Sequence, residues 1–495
     1  MSSVFPASFS TASMVLLAVA LLLALSFEFI NGFHDTANCV ATVIYTHTLK
    51  PNVAVFWAGL WCLIGTATSS GSVAFGIIAL LPVELIVDAG SDTSFAMIFA
   101  LLVSAIIWNF GTWYFAIPAS SSHTLIGAII GVGLANSMLL KGAAFGDGIN
   151  WFQVKQVGLS LLISPVAGFV GAALLFLLLK LLVRRPELFR PAVGEKPPPA
   201  WIRFLLVMTC TGVSFSHGSN DGQKGMGLIM LILVSILPAA YALDMTTPKT
   251  DVAALVASAR VAIPVFDSHV ATPAYRFDEA TANVADFLDN GEIDDEMYAG
   301  LAFLSRRLVS KLQDADDFNG ISSSERRRVR REAYLIADSI ARLDRAGALA
   351  DHAERDELLA YRNQLNGATQ FIPFWVKMAV ALAMGIGTLV GWRRIVVTIG
   401  ERIGKDHLTY GQGATAELVA AMGVAVADQL GLPVSTTHVL SSSVAGTMFA
   451  NRSGLQQRTV RNLLLTWVLT VPACVFLGSL LFAGGLAALA LLGLR

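Results

Sequence analysis

Apolar runs of about 18 residues or more recur along the chain, each long enough for a helix to cross a membrane. Five such segments are expected in the first half. They cover about 15–45, interrupted by a polar octet, then 53–80, 95–115, a segment led by Pro118 to about Leu139, and 157–183. Five more are expected in the second half, at about 204–239, 374–397, 414–430, a segment led by Pro433 to about Ala450, and 463–492. Residues 244–370 break this pattern. They are charged, with apolar positions such as Leu301, Leu304, Leu308 and Leu312 at helical spacing, and predict a soluble, mostly helical insert. The predicted fold class is all-α: a polytopic membrane protein with two repeats of about five segments plus the insert. The expected units are 1–200, the first repeat and its linker; 201–243, the start of the second repeat; 244–370, the insert; and 371–495, the remainder of the second repeat.

The polar interruptions come in pairs. Asn31-Gly-Phe-His-Asp-Thr-Ala-Asn38 has a near-copy in His217-Gly-Ser-Asn-Asp-Gly-Gln-Lys224, which aligns Gly32 with Gly218 and Asp35 with Asp221 at an offset of 186. Pro118-Ala-Ser-Ser-Ser-His123 aligns with Pro433-Val-Ser-Thr-Thr-His438 at an offset of 315. The difference, 129 residues, is close to the length of the insert, so without the insert the chain reads as a duplication. An odd number of segments per half makes the repeats enter the membrane from opposite sides, an inverted topology that places a site near the midplane.

Ionisable residues inside apolar runs are costly and mark sites or pathways. Gly32, Gly218, Gly222 and Gly225 are expected to let the octet helices open, baring carbonyls beside Asp35 and Asp221, with Asn38 near the same helix face. Such oxygens suit a small hard cation or a proton. Glu28, seven residues before Asp35, and the unmatched Glu417 and Asp428 are further proton carriers to weigh. In the Pro-led pair, Ser120, Ser121, Ser122, Ser435, Thr436 and Thr437 fall at helix first turns. There they either cap the helix or, with the free N–H groups, bind a tetrahedral oxyanion. A membrane metal site built from His34, His123, His217 and His438 is a competing view, weakened because His34 and His217 are not at equivalent positions. Protonation of His123 or His438 would add charge beside an anion. Lys224 is read as a residue that snorkels to an interface.

Composition agrees with a membrane protein: 55% hydrophobic, 14% charged and a mean hydropathy of +0.64. The net charge of -1 conceals an asymmetry, because residues 244–370 carry 22 acidic and 15 basic side chains. Nothing favours a nucleic-acid partner. Cys39, Cys62, Cys210 and Cys474 have no metal or redox spacing, and no metal or cofactor is expected. No basic residue precedes Lys50, so the first run is expected to stay as a helix. On the short connections thirteen Lys and Arg fall on one side and three, Lys141, Lys155 and Arg495, on the other, together with an acidic 81–92 connection. The positive-inside rule then turns the termini and the insert outward. The arginine cluster from Arg326 to Arg331 is read as a solvated helix face balanced by Glu325 and Glu332.

At the two octets, at Gly385-Ile-Gly-Thr-Leu-Val-Gly-Trp-Arg-Arg394 and at Pro433-Val-Ser-Thr-Thr-His-Val-Leu-Ser-Ser-Ser443, the sequence resembles the inorganic phosphate transporter (Pit) family, in particular its bacterial low-affinity members. The resemblance runs over almost the whole chain. It implies an inner-membrane carrier of inorganic phosphate, alone or complexed with a divalent metal, coupled to protons, or to sodium in other branches. It further implies roles for Asp35, Asn38, Asn220 and Asp221 around cation and substrate, and for the Ser/Thr of both Pro-led motifs around phosphate. Where many members carry Asn before the first motif's Asp, this chain has His34, which favours protons over a sodium site.

The expected function is thus proton-coupled phosphate symport by alternating access. Ser120, Ser121, Ser122, Ser435, Thr436, Thr437, Asn38 and Asn220 bind the substrate; Asp35, Asp221, His34 and Glu28 carry the coupling ion. The alternatives are a sodium-coupled phosphate or oxyanion symporter, a membrane metal-dependent enzyme, and a transporter-like phosphate sensor. Partners are phosphate or metal-phosphate, the coupling ion and the bilayer; a homodimer is compatible with the sequence.

Overall fold

In the computed structural model, residues 11–80, 92–139, 145–146, 148–191, 196–270, 277–349 and 351–491 are described. Among them the chain is helical, with two isolated antiparallel bridges, Pro191 with Thr409 and Gly404 with Leu455. The first half contains α1 (Thr11–Tyr45), α2 (Pro51–Thr68), α3 (Ser72–Ile78), α4 (Asp92–Tyr114), α5 (Ser121–Leu139) and α6 (Trp151–Leu182). After α7 (Ala200–Ile236) come α8 (Lys249–Asp267), α9 (Phe277–Asn290), α10 (Asp295–Leu312), α11 (Ser323–Arg345) and α12 (His352–Thr369). The chain then forms α13 (Phe374–Leu389), α14 (Arg393–Glu401), α15 (Tyr410–Gln429), α16 (Thr436–Asn451) and α17 (Gln457–Leu491). The 81–91 connection, Lys141 and Arg495 lie outside the described residues.

Six of these helices, α1, α2, α4, α5, α6 and α17, are long and apolar enough to span a bilayer. The other predicted segments are shorter, as in α13 and α16 with 16 residues each, or are diluted by polar motif residues, as in α7. The outermost helices turn apolar side chains outward: Leu162, Val166 and Leu174 on α6, and Val468, Phe476 and Leu480 on α17. Polar side chains collect inside, the reverse of a soluble bundle.

Packing crosses between the halves. α5 packs on α17 and α16 on α6; α1 packs on α13 and α7 on α2; α3 lies on α7 and α14 on α1. Exchanging the halves maps each of these pairs onto another.

The octets do not open their helices. α1 runs unbroken through 31–38 and α7 through 217–224. Their glycines serve close helix approach instead. A Cβ on Gly32 would lie 2.3 Å from the Met384 carbonyl oxygen, and one on Gly218 would lie 2.1 Å from that of Cys62. Intact helical hydrogen bonds cost nothing here, whereas any side chain would separate α1 from α13 and α7 from α2. The breaks fall in the second segment of each half, where the apolar pattern predicts a continuous helix. α2 and α3 part at Gly71 (φ 95°), and α13 and α14 part at Gly391 (φ 75°), backbone conformations that glycine adopts without a Cβ penalty. Side chains satisfy the exposed backbone: Lys377 donates to the Ser69 carbonyl at 2.8 Å, and Trp113 to that of Gly391 at 3.0 Å.

Helices α8 to α12 have an apolar core of their own, in which Leu301, Leu304, Leu308 and Leu312 are buried with Phe266, Ile336 and Tyr361. Asp294, Ser322 and Asp351 cap α10, α11 and α12. The arginine cluster is only in part a solvated face. Arg330 reaches inward and donates to the carbonyls of Ala242 (2.9 Å) and Thr369 (3.0 Å), tying together the two ends of this segment. Glu332 is also buried and pairs with Arg307 at 2.9 Å. Sequence charge balance could not separate Arg330 from its exposed neighbours, because its partners are backbone oxygens.

Candidate functional site

Both octets and both Pro-led motifs meet in one buried cluster. α1 and α7 pack side by side, which brings Asp35 and Asp221 to either side of His217. His217 Nε2 lies 3.2 Å from Asp221 Oδ2 and 4.0 Å from Asp35 Oδ2. His217, Asp221 and Lys224 share a face of α7 because they are spaced by four and three residues. Lys224 Nζ sits 2.8 Å from Asp221 Oδ1, and both side chains are buried. Lys224 therefore does not snorkel. Its stem is enclosed by the bundle, and its ammonium compensates the Asp221 carboxylate while donating to Ser121 Oγ at 3.1 Å.

α16 supplies the other side. Ser435 caps this helix by accepting from the His438 N–H, so Thr436 and Thr437 stand in its first turn. Thr437 Oγ1 donates to Asp35 Oδ1 at 2.8 Å and accepts from Asn38 Nδ2 at 2.8 Å. Thr436 Oγ1 donates to Asp221 Oδ2 at 3.1 Å. Asn220 donates to the Leu432 carbonyl at 3.2 Å and accepts from the Val434 N–H at 3.5 Å, holding the chain that leads into α16. Ser122 donates to the Val434 carbonyl at 2.7 Å, joining the two Pro-led motifs. Ser120 accepts from the His123 N–H at 3.3 Å, the same capping contact as Ser435.

The remaining predicted residues stand at the edge of this cluster. His34 Nδ1 lies 3.0 Å from Asp35 Oδ1, and its Nε2 lies 3.3 Å from Thr112 Oγ1 on α4. Glu28 stands seven residues before Asp35 on α1. It accepts from Asn31 at 3.4 Å and packs against Gly225. Glu417 accepts from Thr209 at 2.6 Å, and Asp428 accepts from Ser219 at 2.6 Å and from Gln223. The rings of His123 and His438 lie 4.5 Å apart, and His438 stacks on Trp467 at 4.1 Å.

Among the described residues, two groups of side chains bring ligand atoms within 4.8 Å of one another: Asp35, His217 and Asp221, and Cys39, Cys62 and His217. The first can hold a small cation or share a proton between carboxylate and imidazole. His217 and Lys224, which the sequence pattern offers only as a ligand in the competing metal view and as a snorkelling cation, stand inside the cluster. Their signal was present as the i, i+4 and i, i+3 spacing around Asp221. The cysteines carried none, since Cys39 and Cys62 reach His217 only through the packing of α1, α2 and α7.

The profile of the phosphate transporter family matches residues 31–478. The chain is 40% identical over 488 residues to the low-affinity inorganic phosphate transporter PitB of Escherichia coli (strain K12), covering 94% of this chain and 96% of that one. It is 37% identical over 486 residues to a low-affinity inorganic phosphate transporter of Buchnera aphidicola subsp. Acyrthosiphon pisum, with the same coverage. A solved structure of a sodium-dependent phosphate transporter shares the fold, with a TM-score of 0.52 at 18% identity, covering 94% of this chain and 98% of that one.

Proposed function

This chain belongs to the phosphate transporter family, and from that membership we propose that its transport of inorganic phosphate is a proton-coupled symport into the cell. The membership removes the enzyme reading, since the relatives are named as transporters. The observation that carries the proposal is the bridge from Asn38 through Thr437 to Asp35, in which a first-half carboxylate holds a second-half hydroxyl.

The hydroxyls of Thr437 and Thr436 each have one proton to donate. While Asp35 and Asp221 are ionised, the carboxylates take it. Protonation weakens a carboxylate as an acceptor and frees the hydroxyl for a phosphate oxygen at the start of α16. Phosphate and proton then favour each other's binding, as symport requires. Lys224, beside Ser121, supplies positive charge toward the same space. Exposure of this site to alternate sides, by movement of one half against the other, would complete the cycle. Under this reading the membrane is the inner one, and the termini and the insert face outward.

A sodium-coupled or metal-phosphate variant is supported by one observation, the convergence of Asp35, His217 and Asp221. Radiolabelled phosphate uptake into proteoliposomes, with a proton or a sodium gradient imposed separately, decides between them. Uptake is expected under the proton gradient and lost in Asp35→Asn. Uptake driven by sodium alone would overturn the proton assignment, and phosphate binding without uptake under either gradient would make the protein a sensor.

A further inference from the structure

Behind the Pro-led motifs, α5, α6, α16 and α17 enclose a cavity of about 690 Å3. Its walls are apolar, with Ile130, Leu162, Phe169 and Leu464 among them, and Leu162 and Leu464 are exposed on the apolar outer faces of α6 and α17. At its inner end stand His438 and Ser441, whose Nε2 and Oγ are buried without a hydrogen-bond partner. A second cavity, of about 840 Å3, shares Leu455, Val460, Leu464 and Val468 with the first, so the two meet along one face of α17.

This second cavity carries Lys405, Arg452 and Arg461. All three are exposed, and among the described residues none is paired with an acid. The backbone fixes their places. Arg452 takes a left-handed conformation (φ 58°) that ends α16, with its N–H returned to the carbonyls of Met448 and Phe449. The bridge between Gly404 and Leu455, with the Lys405 N–H on the Gly454 carbonyl at 3.1 Å, holds the Lys405 loop against the Arg452 loop. α17 begins at this mouth, and the positive end of its dipole adds to the three side chains.

An apolar slot open to lipid and a mouth of three cations without acid partners have two different complements, and an anionic phospholipid joins both in one molecule. An acyl chain leaving the bilayer is held in such a slot by close packing, and basic pockets between membrane helices take anionic head groups. We propose that this slot binds one anionic phospholipid, its phosphate at Lys405, Arg452 and Arg461 and an acyl chain between α5, α6, α16 and α17. The chain would brace α16, whose first turn presents Thr436 and Thr437. Binding itself does not depend on the transport reading.

Native mass spectrometry of the intact protein in detergent tests this, titrating phosphatidylglycerol against phosphatidylethanolamine with the same chains. A one-to-one adduct is expected, favoured about ten- to hundredfold for phosphatidylglycerol, as three basic groups near a lipid phosphate imply. The preference should disappear in the triple variant Lys405→Gln, Arg452→Gln, Arg461→Gln and persist in Arg458→Gln, an exposed arginine outside the cavity lining. Leu464→Trp, which fills the wall where the cavities meet, should lose the adduct. It decides the matter alone if the triple variant does not elute as a single species. Equal adducts for both lipids, or adducts unchanged in both variants, would overturn the proposal. So would displacement of the lipid by inorganic phosphate, which would mark a free-anion site, or a dimer mass lost in Leu464→Trp, which would mark an interface between copies.

Discussion

Lys224 Nζ lies 2.8 Å from Asp221 Oδ1 in the centre of the bundle, with neither side chain in contact with solvent. A buried pair of this kind is held by mutual compensation, and removal of one partner leaves an uncompensated charge that costs about 3–5 kcal/mol. Lys224→Met should therefore lower the thermal stability of the purified protein strongly and abolish uptake. Adding Asp221→Asn should recover much of the stability without recovering uptake, because the two sites are coupled. Equal stability losses in Lys224→Met and in the double variant would refute the pairing.

Thr437 tests the hydroxyl bridge. Thr437→Val keeps the shape but removes the donor to Asp35 and the acceptor for Asn38. A hydrogen bond to a charged group contributes about 1.5–3 kcal/mol, so phosphate uptake should fall roughly ten- to hundredfold. Thr437→Ser, which keeps the hydroxyl, should retain most of it; initial uptake rates of the two variants side by side provide the check.

Glycine in the octets is a packing requirement. Gly218→Ala would set a methyl group 2.1 Å from the Cys62 carbonyl oxygen, whereas a Cβ on Gly111 would meet nothing within 4 Å. Forcing α7 from α2 should cost about 1–3 kcal/mol or more. Gly218→Ala is expected to melt well below the wild type and Gly111→Ala close to it. A near-normal melt for Gly218→Ala would contradict this close approach.

The insert should respond to pH through Glu332. Burial pushes this carboxyl up from 4.5 to about 7, opposed by Arg307, Arg331 and Arg328 and reinforced by Glu325. The folded state then holds a proton that the unfolded state releases near 4.5. Stability contributed by the neutral carboxyl is present below that value and is lost as pH rises from 4.5 through 7, by up to about 3 kcal/mol. Hydrogen exchange in α11 of the intact protein, corrected for intrinsic rates, should show protection decreasing over this window. Glu332→Gln should shrink the slope, leaving the part due to Asp338, also pushed up by burial. An unchanged slope in that variant would assign the effect elsewhere.

Membrane character, a charged stretch at 244–370 and the paired motifs are all legible in the linear pattern. Each is a matter of composition or one-dimensional repetition: long apolar runs, a charged stretch with Leu301, Leu304, Leu308 and Leu312 in helical register, and octets that align on Asp35 and Asp221. The same pattern also marked Thr436, Thr437, Asn38 and Asp35, since polar groups in apolar runs need partners. What those partners are follows from how the helices pack. Gly32 and Gly218 were legible as glycines, but whether glycine opens a helix or admits a neighbour depends on Met384 and Cys62, each on another helix and more than 150 residues away. Lys224 was legible as the one cation beside either octet. Its burial beside Asp221 exists because α1, α2 and α15 pack around α7, with Ser121 of α5 reaching its ammonium, and burial is a property of packing that no local pattern encodes.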